Sequence, residues 1–173
     1  KVLDNTVSPM GSRMIKRWLM FPLQDIRKID ERLNTTEFFI REQDLKNSLT
    51  HLIKQIGDIE RIVAKIPLRK ISPREVLQLA KGLHCVNEVK EKTAHTSDEW
   101  TLRLSEQLNP CSRIQEKITH TLLENPPALA NKGGLIANGI HSELDDLRMI
   151  ATNGKEYLLK IQQRECEITG IPS

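Results

Sequence analysis

The stretch ISPREVLQLAKGLHCV, residues 71–86, carries the clearest helix signal in the sequence. Ser72 can cap a helix, Pro73 suits the first helical position because no N–H is needed there, and Glu75 completes a capping box. Apolar residues then follow at helical spacing, at Val76, Leu79, Ala80, Leu83 and Val86. The stretch therefore predicts an amphipathic helix and indicates a helical fold class.

The same spacing continues on both sides of this stretch. Towards the N-terminus it predicts a short helix that Ser8 caps and Pro22 ends, a helix over residues 25–41, and two more helices that Gly57 and Asp58 separate. Towards the C-terminus it predicts a short helix through Leu102 and Leu108 and another that opens at Pro110 and reaches Leu122. These helices form the predicted multi-helix core, residues 1–141.

The segment PPALANKGGLIANG, residues 126–139, interrupts the helical pattern. It contains two prolines and three glycines around a Lys-Gly-Gly turn, and its apolar runs are short. Such a composition predicts a small β-hairpin or loop near residues 128–138.

The last part of the sequence predicts the longest helix. Ser142 is the expected cap, the helix continues to about Thr169, and at ~1.5 Å per residue it is roughly 40 Å long and projects from the core. One stripe alternates three- and four-residue steps, through Leu144, Leu147, Ala151, Gly154, Leu158, Ile161, Glu165 and Ile168. This stripe, the 144–168 seam, has the register of a two-helix coiled seam, although one face of a globular core helix would look the same.

Composition and charge narrow the function classes. Apolar residues make up 38% and charged residues 28% of the 173 residues, which predicts a soluble, folded chain and argues against a membrane protein. The net charge of +3 is a weak basis for nucleic-acid binding. Three well-separated cysteines predict a reducing, cytosolic compartment, and the start at Lys1 without a leader suggests an excerpt.

No catalytic, cofactor-binding or metal-ligating residue is predicted. Gly154-Lys155 is followed by Glu156, and the glycine pair with phosphate-loop spacing, Gly134 and Gly139, lacks the lysine that such a loop requires. His84 and Cys85 are adjacent and would point about 100° apart on a helix, so they do not chelate a metal together easily.

Two groups of basic residues remain. One is Arg13, Lys16 and Arg17, and the other is the basic run of residues 61–74, with five cations and no acid. A solvated helix face is the favoured interpretation of the run. Contact with a DNA backbone or an acidic partner is the alternative.

Several strings resemble, in order and spacing, the core domain of the MutS family of DNA mismatch-repair proteins, and most closely its bacterial branch. They are VLDNTVSPMGSRMIKRWLMFPLQD (2–25), RLNTTEFF (32–39), GDIERIVAKI (57–66), SPREV (72–76), GGLIANGIHSELDDLR (133–148) and NGKEYLLKIQQRECEITGIPS (153–173). The resemblance covers essentially the whole sequence, and the first and last strings are its most specific parts.

The resemblance implies a mechanical role. In this family the helical core links an ATPase to a DNA clamp, and residues 142–173 correspond to the first lever helix, which leads to a clamp outside this sequence. For the full-length protein it implies a DNA-dependent ATPase with ATP and magnesium, mismatched duplex DNA, a second MutS-like subunit, a MutL-like partner and a cytoplasmic location. No active-site residue of the family maps here, and Gly11 is assigned to close helix packing.

The sequence therefore predicts a structural, signal-transmitting core segment without catalysis or cofactors of its own. The alternative is a standalone helical adaptor that binds another protein through the 144–168 seam. In either case the isolated chain is expected to self-associate through that face or to leave the terminal helix frayed.

Overall fold

The computed structural model describes residues 2–170, apart from the side chain of Lys132, and it is helical. The α-helices are α1 (Pro9–Met20), α2 (Ile26–Arg41), α3 (Gln43–Ile56), α4 (Ile59–Lys65), α5 (Pro73–Thr93), α6 (Glu99–Gln107), α7 (Ser112–Thr121), α8 (Ser142–Thr152) and α9 (Gly154–Thr169). Residues 2–170 contain no β-strand, so the predicted all-α class is confirmed. None of the helices in this range is long and apolar enough to cross a membrane.

Side-chain caps begin three helices, α1, α2 and α5, at the residues that the sequence predicted. The Ser8 hydroxyl accepts from the Gly11 N–H at 3.1 Å, and Asp25 and Asp98 cap α2 and α6 in the same way. Ser72 and Glu75 form both bonds of the capping box at the start of α5. Each such cap stabilises its helix by about 1 kcal/mol, because it satisfies an N–H that the helix leaves free.

Helix α5 is the centre of the first of two compact units, which ends at Leu135. It packs against α3, α4, α6 and α7. The core cluster joins Ile62 to Leu79 and Leu83, which are at most 9% exposed, and Ile59, Ile71, Cys111 and Ile118 pack around it. The apolar face predicted for residues 76–86 is thus the one that builds the core.

Gly82 allows α5 to approach the connection between α3 and α4 closely. A Cβ atom at this position would lie 2.7 Å from the Ile56 carbonyl oxygen and 3.1 Å from Cδ1 of Ile59. Real Cβ contacts are not that short, so the backbones pack at a distance that only glycine permits.

Residues 126–139 form a loop, and the hairpin interpretation is not confirmed. The segment contains one 3₁₀ turn, Ala130–Lys132, and the Leu123 N–H donates to the Leu135 carbonyl at 2.9 Å. Gly133, Gly134 and Gly139 have positive φ angles, which break the extended backbone that a hairpin strand needs.

The second unit begins at Ile136, and its helix is not continuous. The predicted single helix from Ser142 to Thr169 is two helices, α8 and α9, because Asn153 leaves helical geometry at φ −126° and ψ 48°. Asn153 and Gly154 both have low helix propensity, and together they end one helix and start the next. The predicted cap was also wrong by one residue, since His141 precedes the helix and its Nδ1 lies 3.4 Å from the Leu144 nitrogen.

The start of α7 also differs from the prediction. The helix opens at Ser112 rather than Pro110, because Cys111 has a left-handed backbone with φ 49° and ψ 47°. The side-chain oxygen of Asn109 accepts from the Cys111 N–H at 2.9 Å and holds this turn.

Candidate functional site

Arg13 ties the N-terminal helix to the start of α4. Its guanidinium donates to both carboxylate oxygens of Asp58, at 2.9 and 2.7 Å, and its Nε donates to Glu60 at 3.1 Å. These bonds lower the pKa of Asp58 and raise the pKa of Arg13. Asp58 also accepts from the Arg61 N–H as the cap of α4, so one carboxylate joins two strings of the resemblance, 2–25 and 57–66.

A second polar cluster holds the residues before α1. The Asp4 carboxylate accepts from the Ser12 hydroxyl at 2.5 Å and from the Thr6 hydroxyl at 2.6 Å, and these bonds, the one from Ser12 first, lower the pKa of Asp4 to about 2. Gly11 faces the same cluster, since its Cβ would lie 3.1 Å from the Ser8 hydroxyl and 3.3 Å from the Thr6 Cβ. Gly11 therefore accommodates the preceding turn, not a neighbouring helix as predicted.

The basic run is partly used for packing. Lys65 forms an ion pair with Glu75 at the start of α5, and the Arg74 Nε donates to the Pro126 carbonyl at 3.1 Å. Arg61 lies 3.5 Å from Asp58, whereas Arg69 and Lys70 are exposed in the turn that follows α4. This distribution favours a structural role for the run over a continuous phosphate-binding surface.

The 144–168 seam presents apolar side chains to solvent. Leu147 is 61% exposed, Leu158 65%, Ile161 41% and Ile168 69%. Exposed side chains of this size at helical spacing are typical of a surface that another helix covers. The break at Asn153 divides the seam, so its longest uninterrupted part is the face of α9.

The adjacent residues His84 and Cys85 have separate surroundings in the structure. His84 contacts Glu88 through Nε2 at 3.2 Å and Gln115 through Nδ1 at 3.4 Å, while Cys85 is buried and its pKa is raised by that burial. The described residues hold no cluster of three or more His, Cys, Asp or Glu side chains that could bind a metal ion.

Sequence reasoning identified the seam and the basic run but missed the Arg13–Asp58 pair. Arg13 was assigned to a basic surface group and Asp58 only to a break between helices. The pair is separated by 45 residues in sequence, and helical periodicity carries no information at that distance. The available signal was that each residue lies inside one of the strings of the resemblance, Arg13 in 2–25 and Asp58 in 57–66.

Comparison with known proteins identifies the family of the chain. The family profile described as MutS domain III matches residues 1–169. Among curated proteins, the DNA mismatch repair proteins MutS of Parabacteroides distasonis and Phocaeicola vulgatus are each 49% identical over 172 residues, and that of Bacteroides fragilis is 47% identical. Each alignment covers 99% of this chain and 20% of the relative, so the chain spans about a fifth of their length. The chain belongs to the MutS domain III family.

Proposed function

We propose that this chain is the helical core segment and first lever of a MutS-like DNA mismatch-repair protein, and that it transmits nucleotide state from an ATPase to a DNA clamp. The observation that carries the proposal is the exposed apolar face of α9 in a chain of this family. Burying a side chain such as Leu158 would contribute about 1.5–3 kcal/mol, so an uncovered stripe of them is costly. The proposed role requires a second lever helix that packs against this face of α9.

The proposed mechanism is mechanical. Coupling between two sites needs an element with two arrangements, each favoured by a different ligand. Helices that share a core cluster, as α4, α5 and α7 do, can move as one body. The Arg13 contacts to Asp58 and Glu60 support this by fixing α1 to α4.

Catalysis and recognition belong, in this proposal, to other parts of the protein. The segment itself is not an enzyme and holds no cofactor, whereas the complete protein is a cytoplasmic bacterial ATPase that uses ATP and magnesium. Its partners are mismatched duplex DNA, a second MutS-like subunit and a MutL-like protein. The adaptor alternative is not favoured, because the similarity to MutS proteins extends over the whole chain.

The test uses the full-length protein with Leu158→Glu and Ile161→Glu combined. We expect basal ATP hydrolysis to stay within about twofold of the unchanged protein and its stimulation by mismatched DNA to be lost. Lys160→Glu, an exposed substitution on the same helix, is the control and should keep the stimulation. Full stimulation in the double variant, or robust hydrolysis by the isolated 173-residue chain with ATP and magnesium, would contradict the proposed role.

A further inference from the structure

An arginine in the second turn of α8 is hydrogen-bonded to three acceptors. Nη1 of Arg148 donates to the side-chain oxygen of Asn138 at 2.9 Å and to the Asp145 carboxylate at 3.2 Å. Its Nη2 donates to the Ile136 carbonyl at 2.8 Å. The other carboxylate oxygen of Asp145 accepts from the Gly139 N–H at 2.7 Å. We name these five residues the Arg148 cluster, and it joins the loop before α8 to the helix.

The local sequence explains why the Arg148 cluster forms. Asp145 and Arg148 are three residues apart, so their side chains leave α8 on the same side. Gly139 has φ 83°, a backbone conformation that residues with a Cβ atom rarely adopt, and it allows the turn that brings the loop back to the helix. The side chains of Asp145 and Arg148 are each 30% exposed, so water competes less for their bonds than at a fully exposed ion pair.

Arg148 supplies most of the hydrogen bonds between the loop and α8. Within the part of the chain that the structure describes, the bonds from residues 136–139 to α8 all involve Arg148 or Asp145. The one bond that Arg148 does not make, from the Gly139 N–H, ends on the carboxylate that Arg148 itself contacts. Removal of the guanidinium would therefore weaken every bond that holds this loop on the helix.

The bonding pattern is typical of a structural contact rather than of a binding site. Both terminal nitrogens of Arg148 donate to groups of the same chain, whereas a cation that binds phosphate or an acidic partner needs free donors. Lysine could not replace the guanidinium here. An ammonium is a single nitrogen, and it cannot span acceptors as far apart as those that the planar guanidinium reaches with two.

We infer that Arg148 is a positioning residue of the proposed lever and that it holds residues 136–139 on α8. The chain enters the second unit at Ile136, so a displacement passed along the chain reaches α8 through this loop. A loop that relaxes independently would absorb part of the displacement, because coupling is carried by rigid elements and bonded networks. The inference rests on the proposed function, since this rigidity matters only where α8 and α9 act as a lever.

The first test measures the Arg148 cluster in the 173-residue chain, independently of the lever function. Arg148→Ala should accelerate hydrogen exchange of the Gly139 amide at least about tenfold, measured by NMR, because Asp145 loses the partner that holds it. The Leu83 amide in the core should exchange within about twofold of its original rate. Arg113→Ala makes the same charge change at an exposed position of α7 and should leave the Gly139 amide unaffected.

The second test measures the stimulation of ATP hydrolysis by mismatched DNA in the full-length protein. Arg148→Ala should reduce the stimulation at least about fivefold, while basal hydrolysis and affinity for the DNA stay within about twofold. Arg148→Lys keeps the charge but not the two-sided bonding, and it should reduce the stimulation as much. Asn138→Ala removes one acceptor outside the helix and should act in the same direction more weakly. Arg113→Ala should keep the stimulation.

Three results would overturn the inference. Unchanged exchange of the Gly139 amide in Arg148→Ala would show that the cluster does not hold the loop. Full stimulation in Arg148→Lys would assign the role of Arg148 to its charge.

The third result separates this inference from the proposed function. If Arg148→Ala accelerated the exchange but kept full stimulation, while Leu158→Glu with Ile161→Glu lost it, the positioning role alone would be refuted. If neither protein lost the stimulation, the proposed lever function would fail together with the inference.

Discussion

Gly82 is the residue at which helix propensity and packing conflict most directly. Alanine would favour the helix by about 1 kcal/mol, but its Cβ would lie 2.7 Å from the Ile56 carbonyl oxygen, a backbone atom that cannot rotate away. We expect Gly82→Ala to destabilise the chain by about 1–3 kcal/mol, as overpacking does. Urea unfolding followed by circular dichroism measures this. Lys81→Ala, at the exposed neighbouring position, should change stability by less than about 0.5 kcal/mol.

Glu75 makes the stability of the fold depend on pH. Hydrogen bonds from Lys65, first, and from Ser72 lower its pKa from 4.5 to about 2. The unfolded chain therefore binds the proton more readily, so this contribution to stability is complete above pH 4.5 and is lost as the pH falls towards 2. We expect Glu75→Gln to lower the urea midpoint clearly at pH 7 and much less at pH 3.

A matched variant separates this effect from the general loss of a negative charge. Glu116→Gln removes an exposed carboxylate that has no ion pair within residues 2–170. If Glu75→Gln lowered the urea midpoint as much at pH 3 as at pH 7, the capping geometry, rather than the charge, would be responsible.

At the scale of single helices, the sequence predicted features that depend on residues within one turn, but it did not predict where the last helix breaks. Asp25 and Ser72 with Glu75 were predicted as caps, because a cap depends on residues within one turn. The break at Asn153 was missed because the three- and four-residue spacing of the 144–168 seam continues across it. Periodicity reports which face is apolar and is insensitive to a single residue that leaves helical geometry.

The break between α8 and α9 can be tested by replacing the two residues at which it occurs, Asn153 and Gly154. No atom lies within 4 Å of a Cβ built on Gly154, so alanine fits there without a clash. We expect Asn153→Ala combined with Gly154→Ala to favour a continuous helix by on the order of 1 kcal/mol and to increase the ellipticity at 222 nm. Gly134→Ala, in contrast, should destabilise the chain, because Gly134 has φ 62° and alanine is strained in that conformation. Unchanged ellipticity in the double variant would mean that the low helix propensity of Asn153 and Gly154 does not cause the break.

At the scale of the whole molecule, buried and exposed apolar residues have different roles. The core around Ile62, Leu79 and Leu83 accounts for the folding of the first unit, and its position on α5 followed from the sequence. The exposed apolar residues of α9 have no such role in residues 2–170, and periodicity could not distinguish a core face from an interface. The proposed lever function is the reason to expect a partner helix there.

The face of α9 leads to the last prediction. A helix of 16 residues is about 24 Å long and is marginally stable in water without packing. We therefore expect the isolated chain to self-associate through Leu158, Ile161 and Ile168, which sedimentation equilibrium over a range of concentrations would detect. Leu158→Glu with Ile168→Glu should return it to a monomer, whereas Lys160→Glu should not. A monomer at every concentration, with amides around Leu158 strongly protected from exchange, would contradict an uncovered interface, because protection of that strength requires a helix that is already packed.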